Sequence, residues 1–233
     1  MYAWLEAALE ERFEPVALLK ESGRGSVTHL RHKATGKRFI LRQMTGSGEV
    51  YRKLLNVRCP NLPLILETAT EGDRTLVLEE FVQGDNLADL IKADRLPRDL
   101  ALRTARQLCR ALWVLHSLDA VHRDVKPENV LIRGGEAVLI DFDAARLFKA
   151  KQETDTVALG TTGFAAPEQF GLTQSDARAD IYSMGVLLNM LLTGEHPSKK
   201  LAPGRLGRVI SRCVQTTPGK RYQTILQLAD ELA

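Results

Sequence analysis

The feature that most constrains this chain is a change of period one third of the way along. From Pro15 to Glu80 the residues fall into short β-rich runs: "VALLKESG", "SVTHLRH", "RFILRQM", "LPLILETA" and "TLVLEEFV". "HKATGK", with Gly36 inside it, reads as a hairpin turn between the second and third. One helix interrupts the strands, "GEVYRKLLNV", with Val50, Leu54 and Val57 as its apolar face. After "QGDNL" the chain turns helical: "NLADLIKADRL", "RDLALRTARQLCRALWVLHSLD", "ADIYSMGVLLNMLLTG", "GRLGRVISRCVQ" and "TILQLADELA". Leu102, Ala105, Leu108, Leu112 and Leu115 form a stripe at helical spacing. The opening "WLEAALEERF" is also helical, with Trp4, Leu5, Ala8 and Leu9 on one side. Strands first and helices after predict an α+β fold of two lobes joined near Phe81 to Gly84. The expected bounds are an N-terminal helix over 1–14, a small lobe over 15–82 and a large lobe over 83–233.

Composition narrows the function classes. A hydrophobic content of 44% excludes long disorder, and no run is long enough to span a bilayer. The start lacks the basic region, apolar core and cleavage site of a signal peptide, so the expected location is cytoplasmic. A cytoplasmic domain of a longer membrane-anchored protein fits the same observations. A net charge of +3 is too weak to argue for nucleic acid or a membrane surface as partner. Cys59, Cys109 and Cys213 have neither metal-ligand spacing nor a disulfide framework and read as reduced thiols.

The chemistry concentrates in "HRDVKPENVLI", His122 to Ile132, and in "VLIDFDAARLF", Val138 to Phe148. Asp124, Lys126 and Asn129 crowd one loop before a strand, and Pro127 holds that loop extended. A carboxylate, an ammonium and a carboxamide this close suit a phosphate and a metal ion. The carboxylate accepts a hydroxyl proton, the ammonium neutralises a migrating phosphoryl group, and the amide oxygen binds magnesium. Asp141 arrives on the next strand as a second hard oxygen ligand. A solvated turn with surface ion pairs explains any one of these residues, but not the whole string at hairpin distance from "LIDFD".

These residues resemble the protein kinase family, and the resemblance covers nearly the whole chain. "HRDVKPEN" is similar to the catalytic loop. That implies Asp124 as catalytic base, Lys126 as phosphate contact and Asn129 as metal ligand. "DFD" stands where the family has Asp-Phe-Gly, so Asp141 would hold magnesium and Phe142 would plug the core. "GTTGFAAPEQF" resembles the end of the activation segment, with Thr161 near Asp124 and Lys126, which implies a Ser/Thr preference. "DIYSMGVLL" resembles the central large-lobe helix, with Asp180 bracing the catalytic loop. "TTPGKRY" supplies Arg221 as the partner of Glu168. The resemblance implies a two-lobed Ser/Thr protein kinase of bacterial type using ATP and Mg²⁺, with Mn²⁺ as substitute, on protein hydroxyls. It leaves the oligomeric state open.

The small lobe departs from the family. Gly25 takes the last glycine position of the phosphate loop and Val27 the residue over adenine, but the two earlier glycine positions fall on Lys20 and Ser22. Arg42 stands at the strand lysine, and that exchange is not conservative. Ile40 stands at the usual alanine beneath adenine. Glu49 is the expected partner of Arg42, against a first-turn glutamate favoured by the helix dipole. Glu80, Phe81 and Val82 align with the adenine-binding hinge, and Leu131 is a further cofactor-binding candidate. Glu79 then occupies the gatekeeper position, where a carboxylate needs a partner; Arg42 is a candidate, in competition with Glu49.

Thr154 and Thr156 are candidates for phosphorylation, with Arg123 as the phosphate receptor, against a reading as plain loop threonines. After "TGEHPS" only "KKLAPGRLG" precedes the next helix, shorter than the family's usual stretch. Asp143, at the family's glycine, is expected to restrict the backbone flip of that segment. Arg42, Ile40, Asp143 and the thin glycine loop favour an alternative, a pseudokinase that scaffolds or binds nucleotide without transfer. Intact Asp124, Lys126, Asn129 and Asp141 oppose it.

Overall fold

The computed structural model describes residues 2–94, 96–148, 161, 163–170 and 175–233. The chain divides into two compact units, Met1–Cys59 with Pro63–Val82, and Pro60–Leu62 with Gln83–Ala233. The first is strand-rich and the second mainly helical, the α+β arrangement expected of a two-lobed chain.

The first unit contains α1 (Tyr2–Arg12), β1 (Phe13–Ser22), β2 (Gly25–His32), β3 (Arg38–Thr45), α2 (Glu49–Leu54), β4 (Ile65–Glu71) and β5 (Arg74–Glu80). Its strands form one antiparallel sheet in the order β1-β2-β3-β5-β4. Strict alternation divides this sheet into two faces. Leu30, Phe39, Leu41, Leu76 and Leu78 share one face, where Tyr2, Leu5 and Leu9 of α1 pack on them. Full burial of a side chain of this size contributes about 1.5–3 kcal/mol. Trp4, expected on the packed side of α1, is 66% exposed instead. Successive helical residues turn by about 100°, so a stripe fixed by Tyr2, Leu5 and Leu9 leaves Trp4 outside it. The opposite face of the sheet carries Val27, His29, Ile40, Arg42, Val77 and Glu79, which the register sets in two cross-strand rows, Val27–Arg42–Val77 and His29–Ile40–Glu79.

The second unit contains β6 (Asp85–Asn86), α3 (Leu87–Ala93), α4 (Arg98–Ser117), β7 (Ala120–Val121), β8 (Val130–Arg133), β9 (Glu136–Leu139), β10 (Arg146–Leu147), α5 (Ala177–Thr193), α6 (Gly204–Cys213) and α7 (Ile225–Glu231). The α4 stripe is buried at Ala105, Leu108, Leu112 and Leu115, with Leu102 at its half-buried margin. Asp176 caps α5 by accepting the Arg178 amide, and Gly194 ends it in the left-handed conformation. The short connection to α6 is held by buried Asn189. Its Nδ2 donates to the carbonyls of Glu195 and Lys200, and its Oδ1 accepts the Ala202 amide. The last carbonyls of α7 accept from Arg106 of α4 and Arg205 of α6. Cys109 and Cys213 are buried free thiols, and burial pushes the Cys109 thiol up to about 12. Two small sheets complete the unit, β6-β8-β9 and β7-β10. The loop after β7 and the segment after β9 carry the residues of interest.

Candidate functional site

The loop after β7 is strained where it matters. Arg123 has φ 68° and Asp141 has φ 67°, a region that side-chain-bearing residues seldom occupy. Such a conformation persists only where neighbours impose it. For Arg123 the constraints sit on both peptide groups. The fully buried Asp180 accepts the Arg123 amide at Oδ1 (2.8 Å) and the His122 amide at Oδ2 (2.9 Å). On the other side, Gln169 Nε2 donates to the Arg123 carbonyl at 2.7 Å. His116 of α4 lies 2.8 Å from Asp180 Oδ2 through Nε2 and donates to it. Burial alone would raise the Asp180 pKa; hydrogen bonding and charge from His116, with His122 and the Arg123 amide, outweigh it and hold the carboxyl below its usual range. Asp180 thus ties down both amides of this turn, and the Arg123 side chain is buried.

The strained turn presents Asp124. Its Oδ1 accepts the Thr161 hydroxyl at 2.7 Å. Its Oδ2 lies 2.7 Å from Lys126 Nζ and accepts Asn129 Nδ2 at 2.9 Å. Lys126 Nζ also donates to Thr161 Oγ1 at 2.6 Å, so threonine, lysine and aspartate close a ring of polar contacts. Burial would raise the Asp124 pKa, but hydrogen bonds from Lys126 and Thr161, the Lys126 charge and Asn129 together hold it below the usual carboxylate range. The carboxylate is therefore ionised near neutrality.

Asn129 ends a short turn and also donates Nδ2 to the Asp124 carbonyl. With the amide nitrogen committed, the hard oxygen is the end left for a cation. Asp141 supplies a second hard oxygen group after β9, and one of its oxygens accepts the Asp143 amide at 3.3 Å. The charges of Asp180, Asp124 and Asp141 all act to raise the His122 pKa. Burial outweighs them and lowers the His122 pKa, so the ring is neutral. Phe142 is buried and meets that ring edge-on, with centroids 5.6 Å apart, as a core plug would. Asp143 is exposed and is not among the residues with positive φ, so its Cβ costs no backbone strain in this conformation.

Glu168 and Arg221 form a buried bidentate pair at 2.6 and 2.8 Å. Thr154 and Thr156 lie outside the described residues.

In the strand-rich unit, Arg42 Nε donates to Glu79 Oε1 at 2.7 Å, and both residues are buried. The Glu79 carboxylate is thereby partnered by Arg42. Glu49 opens α2, in its first turn. Gly25 has φ 143°, and Val27 and Ile40 sit on the same sheet face as Arg42. Glu80 accepts the Leu64 amide, Val82 is buried, and Phe81 stacks on His29 at 4.4 Å. Leu131 is half-buried on β8.

Sequence reasoning missed His116, Gln169 and His196. His196 Nε2 lies 2.9 Å from the Gly163 carbonyl and donates to it, tying the short α5–α6 connection to the residues before Glu168. Only its place as a histidine in the last turn of the helix feeding the loop signalled His116; nothing in the sequence signalled the other two. Among the described residues no three His, Cys, Asp or Glu side chains form a metal cage. Two protein oxygens, from Asn129 and Asp141, fit a cation that takes its other ligands from phosphate and water, which is how magnesium is commonly held.

Comparison with known proteins agrees with this geometry. The family pattern described as "Protein kinase domain" matches residues 21–226. The serine/threonine-protein kinase pkn2 of Myxococcus xanthus is 29% identical over 269 aligned positions, covering 97% of this chain and 32% of that protein. Serine/threonine-protein kinase A of Synechocystis sp. is 40% identical over 132 positions, 51% of this chain and 25% of that protein. The serine/threonine-protein kinase PknA of Corynebacterium glutamicum is 41% identical over 124 positions, 52% of this chain and 26% of that protein. The chain spans about a third or less of the length of these curated relatives. Members of the matched family use ATP and a divalent metal. A match over most of its length, on top of the Asp124, Asn129 and Asp141 constellation, means that this chain belongs to the protein kinase domain family.

Proposed function

We propose that the chain is a catalytically active serine/threonine protein kinase domain that transfers the γ-phosphoryl group of ATP to protein hydroxyls with Mg²⁺, Mn²⁺ being the substitute. The ring joining Asp124, Lys126 and Thr161 carries this reading. Each carboxylate oxygen has two acceptor positions. Oδ2 of Asp124 is filled by Lys126 and Asn129, and among the described residues Oδ1 accepts from Thr161. The second position on Oδ1 is the one for an acceptor hydroxyl, which Asp124 orients and whose proton it takes there. Lys126 spends two of its three N–H groups on Thr161 and Asp124 and turns the third to the migrating phosphoryl group.

Asn129 and Asp141 would hold the magnesium ion, which would supply neutralisation of the phosphate charge. Arg42, with Glu49 and the Gly25 backbone, serves the phosphates. Val27 and Ile40 serve adenine, the backbone of Glu80 and Val82 pairs with it, and Leu131 is a further cofactor-binding candidate. Thr161 selects Ser/Thr acceptors, and Thr154 and Thr156 are the candidate phosphorylation sites. Substrates are proteins, in the cytoplasm, with no role for nucleic acid or direct membrane contact. Among the described residues no helix is long and apolar enough to cross a membrane.

The test is incubation of the chain with magnesium, labelled ATP and a generic basic protein, beside an Asp124→Asn variant. Label incorporated by the native chain and not by the variant supports the reading. ATP binding with no incorporation by either would identify a pseudokinase.

A further inference from the structure

Two departures from the family pattern, Arg42 at the strand lysine and Glu79 at the gatekeeper position, are one unit in the structure. They lie on adjacent strands, and the register puts Arg42 opposite Val77 and Glu79 opposite Ile40. Arg42 and Glu79 are therefore diagonal neighbours on one sheet face, within reach of long side chains. Nε of Arg42 lies 2.7 Å from Glu79 Oε1, and the two side chains are 6% and 4% exposed.

A buried pair of this kind is weak evidence for stability. Desolvating each charge costs several kcal/mol, and apolar residues of similar volume commonly do as well. The pair makes sense as an orienting device. A guanidinium carries five N–H groups on three nitrogens in one rigid plane, so a carboxylate at Nε fixes the plane while the other nitrogens face elsewhere. An ammonium offers all its donors from one atom and cannot be aimed in this way.

We propose that Glu79 is a positioning residue for nucleotide binding: by holding Arg42 through Nε, it sets the plane in which the guanidinium meets the phosphates of ATP. This rests on the assignment of Arg42 to the phosphates. The gatekeeper carboxylate and the strand arginine are then a matched substitution for an apolar residue and a lysine.

The sign of one measurement separates orientation from charge. If only charge mattered, removing a carboxylate beside Arg42 would tighten ATP binding. If orientation matters, removal weakens it. The experiment is calorimetric titration of the whole chain with Mg·ATP and, separately, with adenosine. Glu79→Met should weaken ATP about tenfold and leave adenosine within about twofold, since misaimed groups lose phosphate contacts and not the base. Glu79→Gln keeps an acceptor at the same reach and should recover most of the ATP affinity.

ATP affinity that is unchanged or improved in a folded Glu79→Met protein overturns the proposal. So does an equal loss for ATP and adenosine, which would mean a damaged pocket. Should Glu79→Met fail to unfold cooperatively, Glu79→Asp carries the test: the shorter carboxylate should weaken ATP about threefold with adenosine unchanged, and unchanged ATP affinity overturns the role. A native chain that takes up no ATP overturns the nucleotide reading itself, and this inference with it.

Discussion

Arg221 spends all five of its N–H groups in a site it shares with Glu168. Nη1 and Nη2 each meet one Glu168 oxygen, and the remaining donors reach the carbonyls of Gln215, Arg178 and Thr216. Arginine is 1% exposed there and glutamate 7%. Lysine has three donors on one atom and cannot reproduce this pattern. Arg221→Lys should therefore lose at least two hydrogen bonds, about 2–3 kcal/mol at roughly 1 kcal/mol each. Arg221→Met should cost more, about 3–5 kcal/mol, because it strands the Glu168 charge. Urea unfolding midpoints measure both, and a lysine variant as stable as the native chain would refute the account.

Thr161 bridges the two charged groups at the centre of the site. Its hydroxyl donates to Asp124 and accepts from Lys126, and that donation helps hold the Asp124 pKa down. Thr161→Val keeps the shape and removes both bonds. The Asp124 pKa should then rise, and the acid limb of the pH–rate profile should move to higher pH. We expect phosphoryl transfer at neutral pH to fall roughly 10- to 100-fold with KM for ATP little changed, since the lost contacts orient the acceptor side. Thr161→Ser should retain most activity. An unshifted acid limb in an active Thr161→Val protein would exclude the coupling.

That Asp124, Lys126 and Asn129 come together was legible because they are close in sequence. Asp124, Lys126 and Asn129 span six residues, and a motif so dense constrains its own chemistry. Arg42 and Glu79 are 37 residues apart in sequence. Their meeting depends on the register of β3 against β5, and a slip of one residue would have sent one of them to the other face. The N-terminal helix was legible as a helix, but which side it buries was not. Trp4 is larger than its neighbours, yet the sheet face of Leu30, Leu76 and Leu78 selects Tyr2, Leu5 and Leu9. His116 and Gln169 escaped notice because their roles exist only once the strained Arg123 peptide needs a carboxylate on one side and an amide on the other.

Acid should unfold the chain in two stages. The His122 pKa is lowered by burial, and that of His29 by burial and the Arg38 charge. Both imidazoles are neutral in the folded state and prefer protons when unfolded. The stability they contribute is present above the unfolded value of about 6.5 and is lost as pH falls through their depressed folded values. Asp124 and Asp180, also lowered, hold their contribution above about 3.9 and lose it below that. Thermal midpoints from pH 8 to pH 3 should decline first below about 6.5 and then steeply below about 4. His122→Gln should flatten the first decline; a first decline as deep as in the native chain would remove His122 from the account.

The glycines of the β1–β2 hairpin are not equivalent. Ser22 pairs with Gly25 across a turn made by Gly23 and Arg24. Gly25 has φ 143°, and a Cβ there would run into the Gln43 carbonyl on β3. Neither the backbone nor the neighbouring strand can give way without breaking the Gly25–Met44 pairing. A Cβ at Gly23 meets nothing within 4 Å, and Gly23 has no positive φ. Gly25→Ala should thus destabilise the strand-rich unit by about 2–3 kcal/mol, the strain cost of a forced backbone plus a displaced strand. Gly23→Ala should be neutral or stabilise by up to about 1 kcal/mol through the unfolded state. Hydrogen exchange at the amides of β2 and β3 reports on this unit alone. Equal protection in the two variants would mean that Gly25 is kept for something other than its conformation.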